Sequence, residues 1–199
     1  MSEDIRNKPR IILSGGGTMG SVTPLLVLAE ELKNRYDFIF VGTRHGVERG
    51  IVTKLDYLKY KPLISGKWRR YFSLYNFLDL FKVKIAFWQS LWFLRKVRPA
   101  LVISAGAYVS VPLAWAAYFL KIPVLIHQQD IRPGFANRLM AKTAKIITVT
   151  FKKSLADYGA KAVWVGNPYK DLKRENSERI VAAFRLKENL PLVLALGGG

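Results

Sequence analysis

Short, nearly continuous apolar runs alternate along the chain with segments whose apolar residues recur every three or four positions. The runs Arg10–Ser14, Asp37–Val41, Leu101–Ser104, Pro123–His127, Lys145–Val149 and Ala162–Val165 predict strands. Helices are predicted near Val22–Arg35, Val47–Leu58, Leu74–Arg95, Pro112–Leu120, Gly134–Thr143 and Lys152–Tyr158. Strands that are apolar throughout, each followed by a helix, indicate an α/β fold: a Rossmann-like parallel sheet with helices on both faces. Ligands of such sheets bind beyond the carboxyl ends of the strands. The uncharged stretch Ala100–Leu120 is long enough to span a bilayer. Gly106 and Pro112 within it favour instead a buried strand, a glycine loop and a helix opening at Pro112.

Beyond Asn167-Pro168 the pattern changes. Asp171–Leu186 predicts a polar helix, and Pro191–Leu196 a strand that runs into Gly197-Gly198-Gly199. A strand entering a glycine loop is how a Rossmann-like domain begins. The expected organisation is a first domain over 1–166, a linker and helix over 167–190, and the opening strand and loop of a further domain over 191–199. The remainder of that domain is expected from a longer chain or from a separate subunit.

Composition narrows the partners. Half of the residues are apolar and 13% are aromatic, enough for a packed core, so a disordered chain is excluded. Lys and Arg number 32 against 14 Asp and Glu, a formal charge of +18. That surplus favours anionic partners: nucleic acid, phosphorylated ligands or an acidic membrane surface. The chain has no cysteine, which excludes a disulfide scaffold, a thiolate metal site and a cysteine nucleophile. The opening MSEDIRNKPRIILSGGG lacks an apolar signal core, so no secretory signal is expected.

Candidate chemistry clusters at the predicted ligand edge. Gly15, Gly17 and Gly20 fit G-x-G-x-x-G between the first strand and its helix, where backbone N–H groups and a helix N-terminus favour an anion. Gly17, Thr18, Met19 and Gly20 are therefore candidate binding positions. The second strand is followed by Arg44 and not by an acidic residue, which disfavours NAD and leaves an NADP-dependent reductase as an alternative. A second small-residue loop, Ser104–Ser110, contributes Gly106, Ala107 and Tyr108. His127, Gln128, Gln129 and Asp130 end the next strand at the same edge. With only His45 and His127 in the chain, a multi-histidine zinc site is excluded.

Lys67–Arg98 interleaves cations with aromatic residues, among them Trp68, Arg69, Arg70, Phe87, Trp88, Trp92 and Phe93. That mixture suits an anionic lipid interface, and nucleic acid is not expected as a partner. The plainer account is a long helix with a core face and solvated cations.

Taken in order, these motifs resemble the peptidoglycan N-acetylglucosaminyltransferases of glycosyltransferase family 28. Gly16–Pro24 is similar to that family's first glycine loop, GGTGGHxxP, and Gly106–Pro112 to its second, GGYVSxP. His127-Gln128-Gln129-Asp130, with Gly134 and Asn137, is similar to HEQN…G…N; Gly166-Asn167-Pro168 is similar to GNPVR, and Leu196-Gly197-Gly198 to the start of GGSQG. The resemblance implies the N-terminal domain of a two-domain GT-B enzyme that transfers N-acetylglucosamine from UDP-GlcNAc, with inversion and without metal or cofactor. The acceptor would be lipid I, undecaprenyl-pyrophosphoryl-MurNAc-pentapeptide, and the product lipid II. It further implies an acceptor-holding domain, peripheral on the cytoplasmic face of the cell membrane, inactive without its donor domain. A non-catalytic anchoring subunit that recruits a separate donor-domain chain is the alternative role.

Carried over position by position, the resemblance assigns acceptor or donor contacts to Gln128, Asn137, Asn167, Lys170 and Gly199. Several positions depart from its pattern: Met19 replaces glycine, Ser21 histidine, Gln128 glutamate, Asp130 asparagine and Lys170 arginine. Neutral Ser21 and Gln128 are no general bases near neutral pH, which leaves Asp130, then His127, as the candidate base.

Overall fold

The computed structural model describes residues 8–64 and 74–169, with side chains over 8–64 and 81–169. The stretch 1–169 is one compact unit. Trp68, Arg69, Arg70, Lys170, Gly199 and the elements predicted after residue 170 lie outside the described residues.

The strands are β1 (Arg10–Ser14), β2 (Asp37–Thr43), β3 (Leu58–Leu63), β4 (Leu101–Ser104), β5 (Val124–Gln128), β6 (Ile146–Val149) and β7 (Ala162–Trp164). They form one sheet in the order β3-β2-β1-β4-β5-β6-β7. Every pairing is parallel. The helices are α1 (Thr23–Leu32), α2 (Val47–Val52), α3 (Leu74–Val97), α4 (Ser110–Phe119) and α5 (Phe135–Ala141).

The period of two along each strand divides the core. Ile11, Leu13, Phe38, Phe40 and Ile103 face one layer, where Val22, capping α1, and Leu25 and Ala29 within it pack. Ile12, Val41, Val102, Ile126 and Ile147 face the other, against Leu91 and Leu94 of α3, Leu113 and Ala117 of α4, and Met140 of α5. Because both faces are covered, the central strands read as continuous apolar runs.

The sheet grows outward from β1 in one direction through β2 and β3, and from β4 in the other. The loops leaving β1 and β4 therefore diverge, and the switch point between them opens a crevice.

Three predicted helices differ from the structure, and one strand was not predicted. The helix expected over Val47–Leu58 stops at Val52, and Leu58–Leu63 is a strand. Among the described residues that strand pairs only with β2. An edge strand tolerates Lys59, Lys61 and Pro62, so it lacks the apolar run that marks its neighbours. The helix α4 opens at Ser110, which places Pro112 within its first turn, where a missing N–H costs nothing. Lys152–Asp157 is a 3-10 segment, not an α-helix.

Candidate active site at the switch point

The first loop is held by its own backbone contacts. A Cβ on Gly15 would run into the carbonyl oxygen of Ser21, and Gly17 sits at φ +81°. Ser21 closes the turn: its Oγ accepts from the Gly16 N–H at 3.1 Å and lies 3.0 Å from the Gly16 carbonyl oxygen, to which it donates. Met19 turns inward against the core layer that carries α1.

Three serines hold the second loop. The Gly106 N–H donates to Ser104 Oγ at 3.1 Å, and Ser110 Oγ donates to the Gly106 carbonyl at 2.7 Å. Ser110 Oγ also lies 2.9 Å from Ser14 Oγ, which ties the start of α4 to the end of β1. Gly106 and Ala107 lie at φ +110° and +78°. For Ala107, a residue with a Cβ, that conformation is strained by about 1–2 kcal/mol. Tyr108 packs against the core and against the Phe135 ring, with centroids 6.5 Å apart.

The third wall is the β5–α5 loop, organised by Gln128. This side chain is 1% exposed. Its Nε2 donates to the carbonyls of Asp130 and Arg132 at 2.8 and 3.1 Å. Its Oε1 accepts from Asn137 Nδ2 at 2.5 Å and from Tyr158 Oη at 3.0 Å. Burial first, and then Asp157, push the Tyr158 hydroxyl up to about 12, so it stays a donor. Two carbonyls require the Gln128 amide nitrogen on their side; Asn137 must then offer its own nitrogen to Oε1. The Asn137 Oδ1 is left buried without a partner. Asn137 lines the crevice, and its Oδ1 is an acceptor with no partner among the described residues.

The crevice has a volume of about 240 Å³ and takes in Thr18, Gly20, Ser21, Gly106, Ala107, Asp130 and Asn137. Asp130 is exposed at it, and its carboxylate has no hydrogen bond or ion pair among the described residues. Sequence reasoning singled out all seven. Gly16, Ala105, Gln129, Gly134 and Ala136 lie on the same wall; they belong to the same loops and motifs, but sequence reasoning gave them no role. Gly17 points to a second cavity. His127 is buried behind the crevice, with Nδ1 3.0 Å from Thr148 Oγ1 and Nε2 3.4 Å from Asn167 Oδ1. Burial lowers its pKa, and the Asn167 contact only partly offsets this, so the ring is neutral at pH 7.

On the outer layer, α3 presents two apolar faces. Phe87 and Phe93, expected at a membrane surface, pack against the core instead. Trp88 and Trp92 are 61% and 76% exposed. Phe81 and Ile85 extend them to an i, i+4, i+7, i+11 stripe. Among the described residues no helix is long and apolar enough to cross a membrane.

Fold and crevice together define a doubly wound α/β domain with a crevice at the β1/β4 switch point. Residues 11–149 match the glycosyltransferase family 28 N-terminal domain, and the chain belongs to that family. A Clostridium botulinum UDP-N-acetylglucosamine–N-acetylmuramyl-(pentapeptide) pyrophosphoryl-undecaprenol N-acetylglucosamine transferase is 41% identical over 192 residues, 95% of this chain and 54% of the relative. The protein of that name from Clostridium tetani is 38% identical over 196 residues, again 54% of its length. The chain thus spans about half the length of the curated relatives it matches. Among solved structures, Acinetobacter baumannii MurG superposes with a TM-score of 0.67 at 22% identity, over 83% of this chain and 47% of that one. A UDP-N-acetylglucosamine 2-epimerase from Rickettsia bellii gives 0.65 at 12% identity, over 91% of this chain and 52% of that one. The fold is that of the N-terminal Rossmann-like domain of GT-B glycosyltransferases. The reductase alternative is not favoured by this family membership.

Proposed function

We propose that the chain is the acceptor half of an inverting N-acetylglucosaminyltransferase, which moves GlcNAc from UDP-GlcNAc to the C4 hydroxyl of a muramyl sugar carried on undecaprenyl diphosphate. The observation that carries this reading is the kinship with transferases of that name over 95% of the chain. The crevice supports it: its size suits one sugar residue, and Asn137 Oδ1 offers an acceptor to a sugar hydroxyl or acetamido N–H.

In this reading the acceptor oxygen bonds to the anomeric carbon as the bond to UDP breaks, and the hydroxyl proton passes to Asp130. Asp130 is the ionisable side chain on the crevice wall. His127 is neutral but engaged behind it, and the Ser21 hydroxyl is spent within its own loop. The exposed aromatic stripe of α3, with Lys84, Arg95 and Lys96, fits peripheral contact with the anionic inner face of the cell membrane.

The test joins this chain to the donor domain of a relative and measures transfer from UDP-GlcNAc to lipid I. Transfer by the joined protein and none by the chain alone are expected. Asp130→Asn should lower kcat by about 10²–10⁴-fold with little change in acceptor KM. Full turnover by that variant would remove Asp130 as base, and no transfer by the joined protein would remove the function.

A further inference from the structure

A second cavity, of about 680 Å³, lies at the same edge of the sheet. Gly17 lines it, while Gly16 and Thr18 line the crevice, so the first glycine loop is the partition between them. Its walls gather basic side chains from three elements: Arg44 and His45 from the turn after β2, Lys61 from β3 and Lys82 from α3. No carboxylate is among its lining residues. Glu48, two residues after the lining Gly46, is 0% exposed. Its Oε1 accepts from the Thr43 N–H and hydroxyl at 2.7 and 2.6 Å. Thus Glu48 pins the β2–α2 turn from below and does not enter the cavity.

The crevice has the opposite character. It is small, lined by glycine, alanine and neutral polar groups, and Asp130 is the charged side chain on its wall. A diphosphate placed there would face a carboxylate of like sign. In the neighbouring cavity it would meet Arg44, Lys61 and Lys82, with no carboxylate among the described lining residues. From Lys82 the route continues to Phe81, Ile85 and Trp88, the start of the exposed stripe of α3. Sugar, diphosphate and lipid chain would thus lie in sequence across the crevice, the basic cavity and the aromatic stripe.

We infer that the cavity of Arg44, His45, Lys61 and Lys82 binds the diphosphate of a prenyl-diphosphate-linked acceptor, apart from the crevice that takes the sugar. The inference rests on the acceptor reading above and adds where the charged link sits. Lys61 has its Nζ 5.9 Å from the Phe93 ring centroid, so its stem is braced against the core side of α3. Arg44 and His45 are exposed, so their replacement leaves the fold intact.

The experiment titrates the full chain with farnesyl diphosphate, inorganic pyrophosphate and UDP at low salt. Farnesyl diphosphate should bind most tightly. Arg44→Gln/His45→Gln and, separately, Lys61→Gln/Lys82→Gln should each weaken it about tenfold or more, as expected for lost charge-assisted contacts. A control pair at the opposite edge of the sheet, Lys121→Gln/Lys145→Gln, should leave it unchanged. Equal losses in all three pairs would mean general charge attraction and overturn the site. So would undetectable binding, or UDP binding as tightly as farnesyl diphosphate with the same cation dependence. In the joined transferase the two cavity pairs should raise acceptor KM and spare donor KM. Transfer with acceptor KM unchanged would sink the diphosphate site and spare the function. Cation-dependent farnesyl diphosphate binding without any transfer would do the reverse.

Discussion

At the scale of single residues, Gln128 shows how a position with a catalytic look is used to build the site. The family pattern has glutamate there, yet this side chain donates to two backbone carbonyls while accepting from Asn137 and Tyr158. Glutamate at neutral pH has no proton for either carbonyl. Gln128→Glu should therefore cost at least about 1–3 kcal/mol of stability at pH 7.5. Among carbonyls, its folded pKa would be raised above the unfolded value of about 4.3. The folded variant then holds its proton more tightly, so its stability is greatest below about pH 4.3 and falls as pH rises toward the folded value. Urea denaturation of both proteins at pH 4.5 and 7.5 checks this; equal stability at pH 7.5 would contradict the network. The sequence marks Gln128 as a polar residue at a strand end. Its structural role was not legible, because Asn137 and Tyr158 lie 9 and 30 positions away and meet it only in the fold.

At the scale of elements, the glycine loops were legible because a strand, small residues and a helix follow in order. The serines that hold the second loop were not, since Ser14 reaches Ser110 across 96 positions. Ser110→Ala should destabilise the domain by about 1–3 kcal/mol, because the Gly106 carbonyl loses its short buried donor and keeps only Ser104 Oγ at 3.4 Å. Denaturant midpoints of the two proteins measure this, and an unchanged midpoint would mean that the loop holds itself. The strand β3 escaped prediction for a different reason: the sheet edge relaxes the demand for apolar residues, so Lys59 and Lys61 hide it. The same relaxed edge brings Lys61 to the basic cavity.

At the scale of the whole molecule, the formal charge of +18 and the exposed stripe would contribute separably to the membrane contact proposed above. Each cation near an anionic surface is worth roughly 1 kcal/mol, an attraction confined to about 10 Å at 0.1 M salt and about 3 Å at 1 M. Inserted aromatic side chains lose nothing to salt, because their burial is apolar. Co-sedimentation with phosphatidylglycerol-containing vesicles should thus fall as salt rises and level off above zero. Ile85→Ser/Trp88→Ser/Trp92→Ser should abolish that plateau while leaving binding at low salt largely intact. Composition alone made the segment legible as basic and aromatic, but not which aromatics face outward. Phe87 and Phe93 pack against the core, so replacing them would test folding and not the membrane. If the triple variant keeps its fold by circular dichroism and its binding still levels off at the same residual value, the stripe of α3 does not enter the bilayer, and the charge alone holds the protein there.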